Sequence, residues 1–167
     1  MKLRKYVPET DFDVLRTWIT DERMHAMWCA NRFPYPLEQQ SFEAFLKAEE
    51  EQFGNRACTA ENDDGKQVGF YCFAVQPESR EALLKFVIID NTMRGRGCGS
   101  EMVSLAVRQI FEQTDAKAVS LAVFSSNIPA KQCYLRVGFT ERSYTENAFC
   151  FGDEHWSRYH MIRMRPQ

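Results

Sequence analysis

The amino-acid sequence predicts one domain, residues 1–167, of mixed α/β class, with elements in the order β-α-α-β-β-β-α-β-α-β-β. Three observations lead there. Leu83 to Asp90 is an apolar, β-branched run, as in a buried strand, and it passes through a turn containing Gly95, Gly97 and Gly99 into Glu101–Gln113. In that segment Met102, Val103, Ala106, Val107, Ile110 and Phe111 recur at helical spacing. Ala118 to Phe124 then alternates as a strand and leads into a second helix bounded by Asn127 and Gly138. Runs of strand period joined by turn residues stand on both sides of these two units, and no linker, repeat or low-complexity stretch divides the chain. A chain of 167 residues is long enough for a substantial core.

Taken in order, Leu3 to Val7 reads as a short strand closed by Pro8. Thr10 or Asp11 is placed to cap a helix whose apolar face is Phe12, Val14, Leu15, Trp18 and Ile19. Asp21 to Tyr35 reads as irregular and carries His25, Trp28, Phe33 and Tyr35. A second helix runs from Pro36 to Phe53, with Phe42, Phe45 and Leu46 inward and Glu43, Glu49, Glu50 and Glu51 on a solvated face; Gly54 ends it. Arg56–Glu61 and Gln67–Val75 read as strands joined by the hairpin turn Asn62-Asp63-Asp64-Gly65, and Gln76–Arg80 as the next turn. Beyond Phe139, Thr140–Asn147 and Glu154–Arg165 read as strands connected through Ala148–Asp153.

The glycine turn is where chemistry is concentrated. Alternate glycines let the backbone turn tightly and approach a ligand. The amides that open the following helix lack intrahelical partners and suit a phosphate, and Arg94 and Arg96 add positive charge. The spacing is not G-x-x-x-x-G-K-[ST], since no lysine follows, and the third glycine falls one residue too early for G-x-G-x-x-G. Downstream, Asn127 suits an N-cap, Pro129 a first helical turn and Gly138 the position past the helix end. Together, Arg94-x-x-Gly97-x-Gly99 and Asn127-x-x-Ala130-x-x-x-Tyr134-x-x-x-Gly138-Phe139, in this order and on these elements, resemble the two signatures of the GNAT superfamily of N-acetyltransferases.

That resemblance implies a mixed, mostly antiparallel central sheet of about seven strands flanked by about four helices and splayed at the cofactor site. It implies acetyl-CoA as cosubstrate, with main-chain groups of Val87, Ile88 and Ile89 holding the pantetheine arm and acetyl carbonyl. The amides of Arg94, Gly95, Arg96, Gly97, Cys98, Gly99 and Ser100 would take the pyrophosphate, with Asn127 a further contact. Tyr134 is the candidate general acid, a phenol able to protonate a leaving thiolate. The family's glutamate base has no counterpart at Leu83 or Leu84; Glu81, on the same strand face as Leu83, is a weak substitute. His25, Trp28, Phe33, Tyr35, Phe149 and Phe151 are candidates for the acceptor wall, or cover the open end of the sheet.

A net charge of −2 argues against nucleic acid as partner, and no segment approaches membrane-spanning length. The six cysteines stand far apart without a C-x-x-C pair, so neither a metal site nor a compact disulfide framework is expected, and the chain reads as cytoplasmic. The acceptor is expected to be a primary amine of a small molecule or a peptide amino terminus. The alternative is a non-catalytic acyl-CoA-binding sensor or regulatory module. Oligomeric state is not readable from the sequence: the last strand could pair across a homodimer, but an edge strand alone does not establish one.

Overall fold

In the computed structural model, which describes residues 1–166, all the expected strands join one seven-stranded sheet. The elements are β1 (Lys2–Lys5), α1 (Pro8–Thr17), α2 (Glu22–Cys29), α3 (Gln39–Phe53), β2 (Arg56–Glu61), β3 (Gln67–Gln76), β4 (Glu81–Ile89), α4 (Cys98–Gln113), β5 (Ala118–Phe124), α5 (Ile128–Arg136), β6 (Thr140–Phe151) and β7 (Glu154–Met164). A single 3-10 turn, Asn91–Met93, follows β4. Strand order is β1-β2-β3-β4-β5-β7-β6, and every pairing is antiparallel except β4 with β5.

Side-chain alternation sorts the core onto the two sheet faces. On one face Ala82, Leu84, Val119, Leu121 and Met161 pack with Met102, Val103, Ala106, Val107 and Ile110 of α4 and with Tyr134 of α5. On the other, Phe70, Cys72, Phe86 and Ile88 pack with Phe12, Leu15, Trp28 and Phe42 from α1, α2 and α3. Gly69 of β3 marks the closest approach beneath α4. A Cβ there would collide with the Met102 side chain and stand 2.9 Å from Ile89 Cδ1.

Several elements differ from the sequence expectation, each for a tertiary reason. Asp21–Tyr35 is not irregular: Asp21 caps α2 by accepting the Met24 N–H at 2.7 Å, and Ala30 ends it in the left-handed region. Neither Thr10 nor Asp11 caps α1, which starts at Pro8. Asp11 is instead buried; its carboxylate accepts the Val7 N–H and two hydrogen bonds from Arg4. Glu49 leaves the solvated face of α3 and lies buried, bonded to Lys85 of β4 and facing Arg32 at 3.3 Å. β6 runs through Phe151, its register shifting between Thr145 and Phe149 with Asn147 at φ 49°, so Phe149 and Phe151 are strand residues. The last strand is not an edge either: β7 lies between β5 and β6, and β6 is the outer strand.

Candidate functional site

The site begins with a gap in the sheet. β4 and β5 pair only through Glu81–Leu83 and Ala118–Ser120. Beyond Leu83 the β4 edge that would face β5 has no strand partner among the described residues, so its main-chain groups are without a ladder on that side. A bulge lies in the same stretch. Phe86 and Val87 together oppose the single residue Tyr71, with Phe86 at φ 53°, a conformation bulky residues avoid. The bulge reverses the alternation of β4: Ala82 and Leu84 share a face with Val87 and Ile89, while Phe86 and Ile88 turn toward α1–α3. The Phe86 carbonyl accepts the Trp28 indole N–H at 2.9 Å.

Beyond β4 the chain is anchored before it turns. Asp90 is buried, and its carboxylate accepts the Thr92 N–H and hydroxyl, both at 2.8 Å. Burial opposes ionisation of Asp90, but these bonds and Lys66 outweigh it and hold the carboxyl below the ordinary range. Asn91 Nδ2 donates to the Trp18 carbonyl at 3.1 Å, tying the turn to α1. Gly95 and Gly97 then take φ of 74° and 84°, open to glycine without strain. Gly97 is the N-cap of α4 and offers no side chain to its amides; the first intrahelical bond is from Glu101 N–H to Gly97. The amides of Cys98, Gly99 and Ser100 therefore have no helical partner, and the exposed Arg94 and Arg96 stand beside them.

On the same face, Asn127 caps α5 by accepting the Ala130 N–H at 3.3 Å. Tyr134 is 7% exposed, with its ring 6.0 Å from Phe139, and burial raises its phenol well above the usual range. Cys133 Sγ lies 3.5 Å from the Ser100 hydroxyl, so α5 and the start of α4 touch. A surface cavity of about 690 Å³ lies elsewhere, along the second half of α4, lined by Arg108, Phe111, Arg163 and Arg165 among others. Cavity volume does not mark this site; the parted strands and the open helix start do.

The model of the acetyltransferase (GNAT) family matches residues 15–139, which spans the gap, the glycine turn and Tyr134. The chain belongs to the GNAT acetyltransferase family. Known structures have the same fold. The spermidine N-acetyltransferase of Vibrio cholerae in complex with CoA and spermine superposes with a TM-score of 0.83, at 17% identity over 98% of this chain and 94% of that one. A putative phosphinothricin N-acetyltransferase gives 0.79, at 18% identity over 99% of both chains.

In this GNAT enzyme the residues expected around the acceptor fall into two groups: His25, Trp28, Phe33 and Tyr35 pack together, and Phe149 and Phe151 share Trp156. His25 is fully buried in α2, edge-on to Phe33 at 5.3 Å, and burial lowers its pKa. It lies in the core beneath Tyr35. Trp28 and Phe33 are likewise core residues at 9% and 4% exposure, whereas Tyr35 is open to solvent. Phe149 and Phe151 of β6 pack on Trp156 of β7. Glu81 starts β4 in a two-bond pair with Arg142 at 2.9 Å, which, first among the causes, holds its carboxyl low. It stands five residues before the bulge, roughly 16 Å along the strand. Among the described residues no cluster of His, Cys, Asp or Glu could hold a metal ion.

Sequence reasoning did not find the bond from Trp28 to the bulge. Its donor and acceptor lie 58 residues apart. Replacing Trp28 with Phe keeps most of the packing and removes that bond, so the Phe86 carbonyl is left unpaired in a buried site. The expected result is a fall in kcat of about 10-fold, near 1.4 kcal/mol, with the KM for acetyl-CoA changed less. Steady-state kinetics with acetyl-CoA varied at saturating acceptor checks this; an unchanged kcat would show that the bulge holds its shape without Trp28.

Proposed function

We propose that this enzyme transfers the acetyl group of acetyl-CoA to a primary amine, of a small molecule or a peptide amino terminus, by direct attack in a ternary complex. The observation that carries the reading is the juxtaposition of an unpaired β4 edge with a helix start whose amides are free. These features fit acetyl-CoA chemically. The amides of Arg94 to Ser100, with the two arginines, match a pyrophosphate, and the main chain of Val87, Ile88 and Ile89 matches the amides of a pantetheine arm. Asn127 adds a contact at the start of α5.

Bound acetyl-CoA supplies the thioester carbon that the amine nitrogen attacks, forming a C–N bond while the C–S bond breaks. Backbone N–H groups on the free edge of β4 stabilise the charge that gathers on the carbonyl oxygen, since they are already oriented. Tyr134 gives its hydroxyl proton to the departing thiolate sulfur and regains one from solvent. The raised phenol pKa keeps that proton in place across the working range. Glu81 is engaged by Arg142, so the amine attacks in its neutral form, and the proton its nitrogen gives up on becoming an amide passes to water. Its six cysteines are free among the described residues, and no described helix is long and apolar enough to cross a membrane; both features suit work in the reducing cytoplasm.

The test is an acetyl-CoA turnover panel of amines and short peptides read by product mass, with a thermal-shift control for CoA. Gain of one acetyl group by one acceptor class is the expected result. Silence across the panel, with CoA still bound, would select the non-catalytic acyl-CoA-binding module instead.

A further inference from the structure

The sheet face that carries α1–α3 is uncovered over its β5-β7-β6 half, and the β4–β5 gap opens onto it. Register identifies the floor of this trough. Ser120, Ala122 and Phe124 of β5 stand opposite Ile162, His160 and Arg158 of β7, and His160 and Arg158 stand opposite Ser143 and Thr145 of β6. The alternate residues Val119, Leu121, Val123 and Met161 belong to the core beneath α4, which places the first set on the open face. Ala122 is exposed, and Ser120 and His160 are half-buried. α2 closes one end of the trough. Arg23 binds Glu154 at 2.5 and 2.8 Å and stacks on Trp156 at 5.1 Å, while Ala26 packs with Phe124.

Charge in the trough is one-sided. Its carboxylates are already answered: Glu81 is held by Arg142, and Glu49 by Lys85 and Arg32. Arg158 has no carboxylate beside it among the described residues, and its Nε is buried without a hydrogen-bond partner. His160, next but one on the strand, has its pKa lowered by burial and by the charges of Arg158 and Arg142. An arginine left half-buried and unpaired is costly unless an anion joins it. Its position also fits. Extending the register of the paired rungs sets the β4 bulge level with Val123, and Arg158 lies opposite Phe124 one strand spacing away, about 4.8 Å.

We propose that the acceptor is a small primary amine that also carries an acid group, such as an amino acid, and that Arg158 binds that acid while the amine reaches the β4–β5 gap. This rests on the N-acetyltransferase reading and narrows it. A polyamine, positive along its whole length, would meet Arg158, Arg142 and Lys85 with only paired carboxylates to answer it.

Matched acceptors test the proposal: phenylalanine against phenethylamine, lysine against cadaverine, and spermidine alone, each assayed for kcat/KM with acetyl-CoA. The acid-bearing member of a pair is expected to be favoured by at least about 10-fold. R158Q is expected to raise the KM for that member by roughly 10- to 100-fold with the KM for acetyl-CoA unchanged, and R158K to recover part of the loss. Equal or better turnover of cadaverine, phenethylamine or spermidine would overturn the proposal and leave amine acetylation standing. An unaltered KM for the acid-bearing acceptor in R158Q would overturn the role of Arg158. If no amine is acetylated by protein that still binds CoA, it is the N-acetyltransferase reading that fails, and this proposal falls with it.

Discussion

Replacing Tyr134 with Phe is expected to lower kcat by roughly 100- to 1,000-fold, the range for losing a positioned general acid. The KM for acetyl-CoA should stay near its wild-type value. The substitution removes one oxygen and leaves the ring in contact with Phe139, so packing between α5 and the sheet is retained. On the proposed mechanism what goes is the proton donor: without it the thiolate would leave unprotonated, and the barrier would rise by about 3–4 kcal/mol. Burial sets the sign of the pH effect. It disfavours phenolate, so the hydroxyl keeps its proton as pH rises past the usual tyrosine pKa of about 10. Wild-type kcat should therefore show no alkaline loss attributable to this group below that pH. Kinetics at saturating acetyl-CoA, with melting curves to confirm the fold, decide the matter; an intact kcat in the Phe variant would remove Tyr134 from the reaction.

The other large effect concerns stability, at the opposite edge of the sheet. Asp11 is 1% exposed, and its carboxylate accepts from Arg4 at 2.6 and 2.8 Å, the Val7 N–H at 2.9 Å, and the Thr59 and Thr10 hydroxyls at 2.8 and 3.0 Å. It joins β1, α1 and β2. Asp11→Asn keeps the shape and discards the charge, stranding a guanidinium whose side chain is only 28% exposed. Breaking a buried pair costs 3–5 kcal/mol, and because Arg4 keeps Glu61, about 3 kcal/mol is expected, or a fall in Tm of roughly 6–12 °C.

Burial is the strongest influence on the Asp11 carboxyl and would raise its pKa. The bonds from Arg4, Val7, Thr59 and Thr10 together reverse that and hold it below the ordinary aspartate range. A depressed carboxyl stabilises the fold above its unfolded pKa and stops doing so as pH falls through the lower folded value. The gap between wild type and variant should thus be full at neutral pH and shrink only below about pH 4. Urea titrations of both proteins at neutral and acid pH test this. A variant as stable as the wild type at pH 7 would mean that the cluster is replaceable by neutral hydrogen bonds.

Much of the proposed cofactor side was legible as structure because its signals are local. The strand, glycine turn and helix from Leu83 to Gln113 lie within one stretch of chain, and the cap at Asn127 and the left-handed Gly138 are read from a few neighbouring residues. The proposed acceptor side was not legible, because it is assembled by pairings between distant segments. Trp28 looked like a wall residue until its indole was seen bonded to Phe86. Glu49 looked solvated because helical spacing alone did not tell that Lys85 would stand beneath it. The alternation Trp156, Arg158, His160 was present in the sequence, but only the register of β7 against β5 sets it beside the gap.

By itself, then, the sequence determined the seven strands, the two strand–helix units and the glycine turn, since hydrophobic period, glycine spacing and caps act over one or two turns of chain. Only the tertiary structure decided that α2 is a helix, that β7 lies inside the sheet, and that β4 parts from β5 beside a bulge. It alone decided too which charges are answered and which, at Arg158, is left open. The physical reason is common to all of these. Strand order, bulges and buried ion pairs gain their energy from contacts between residues far apart in sequence, and no local pattern encodes which distant partner will be there.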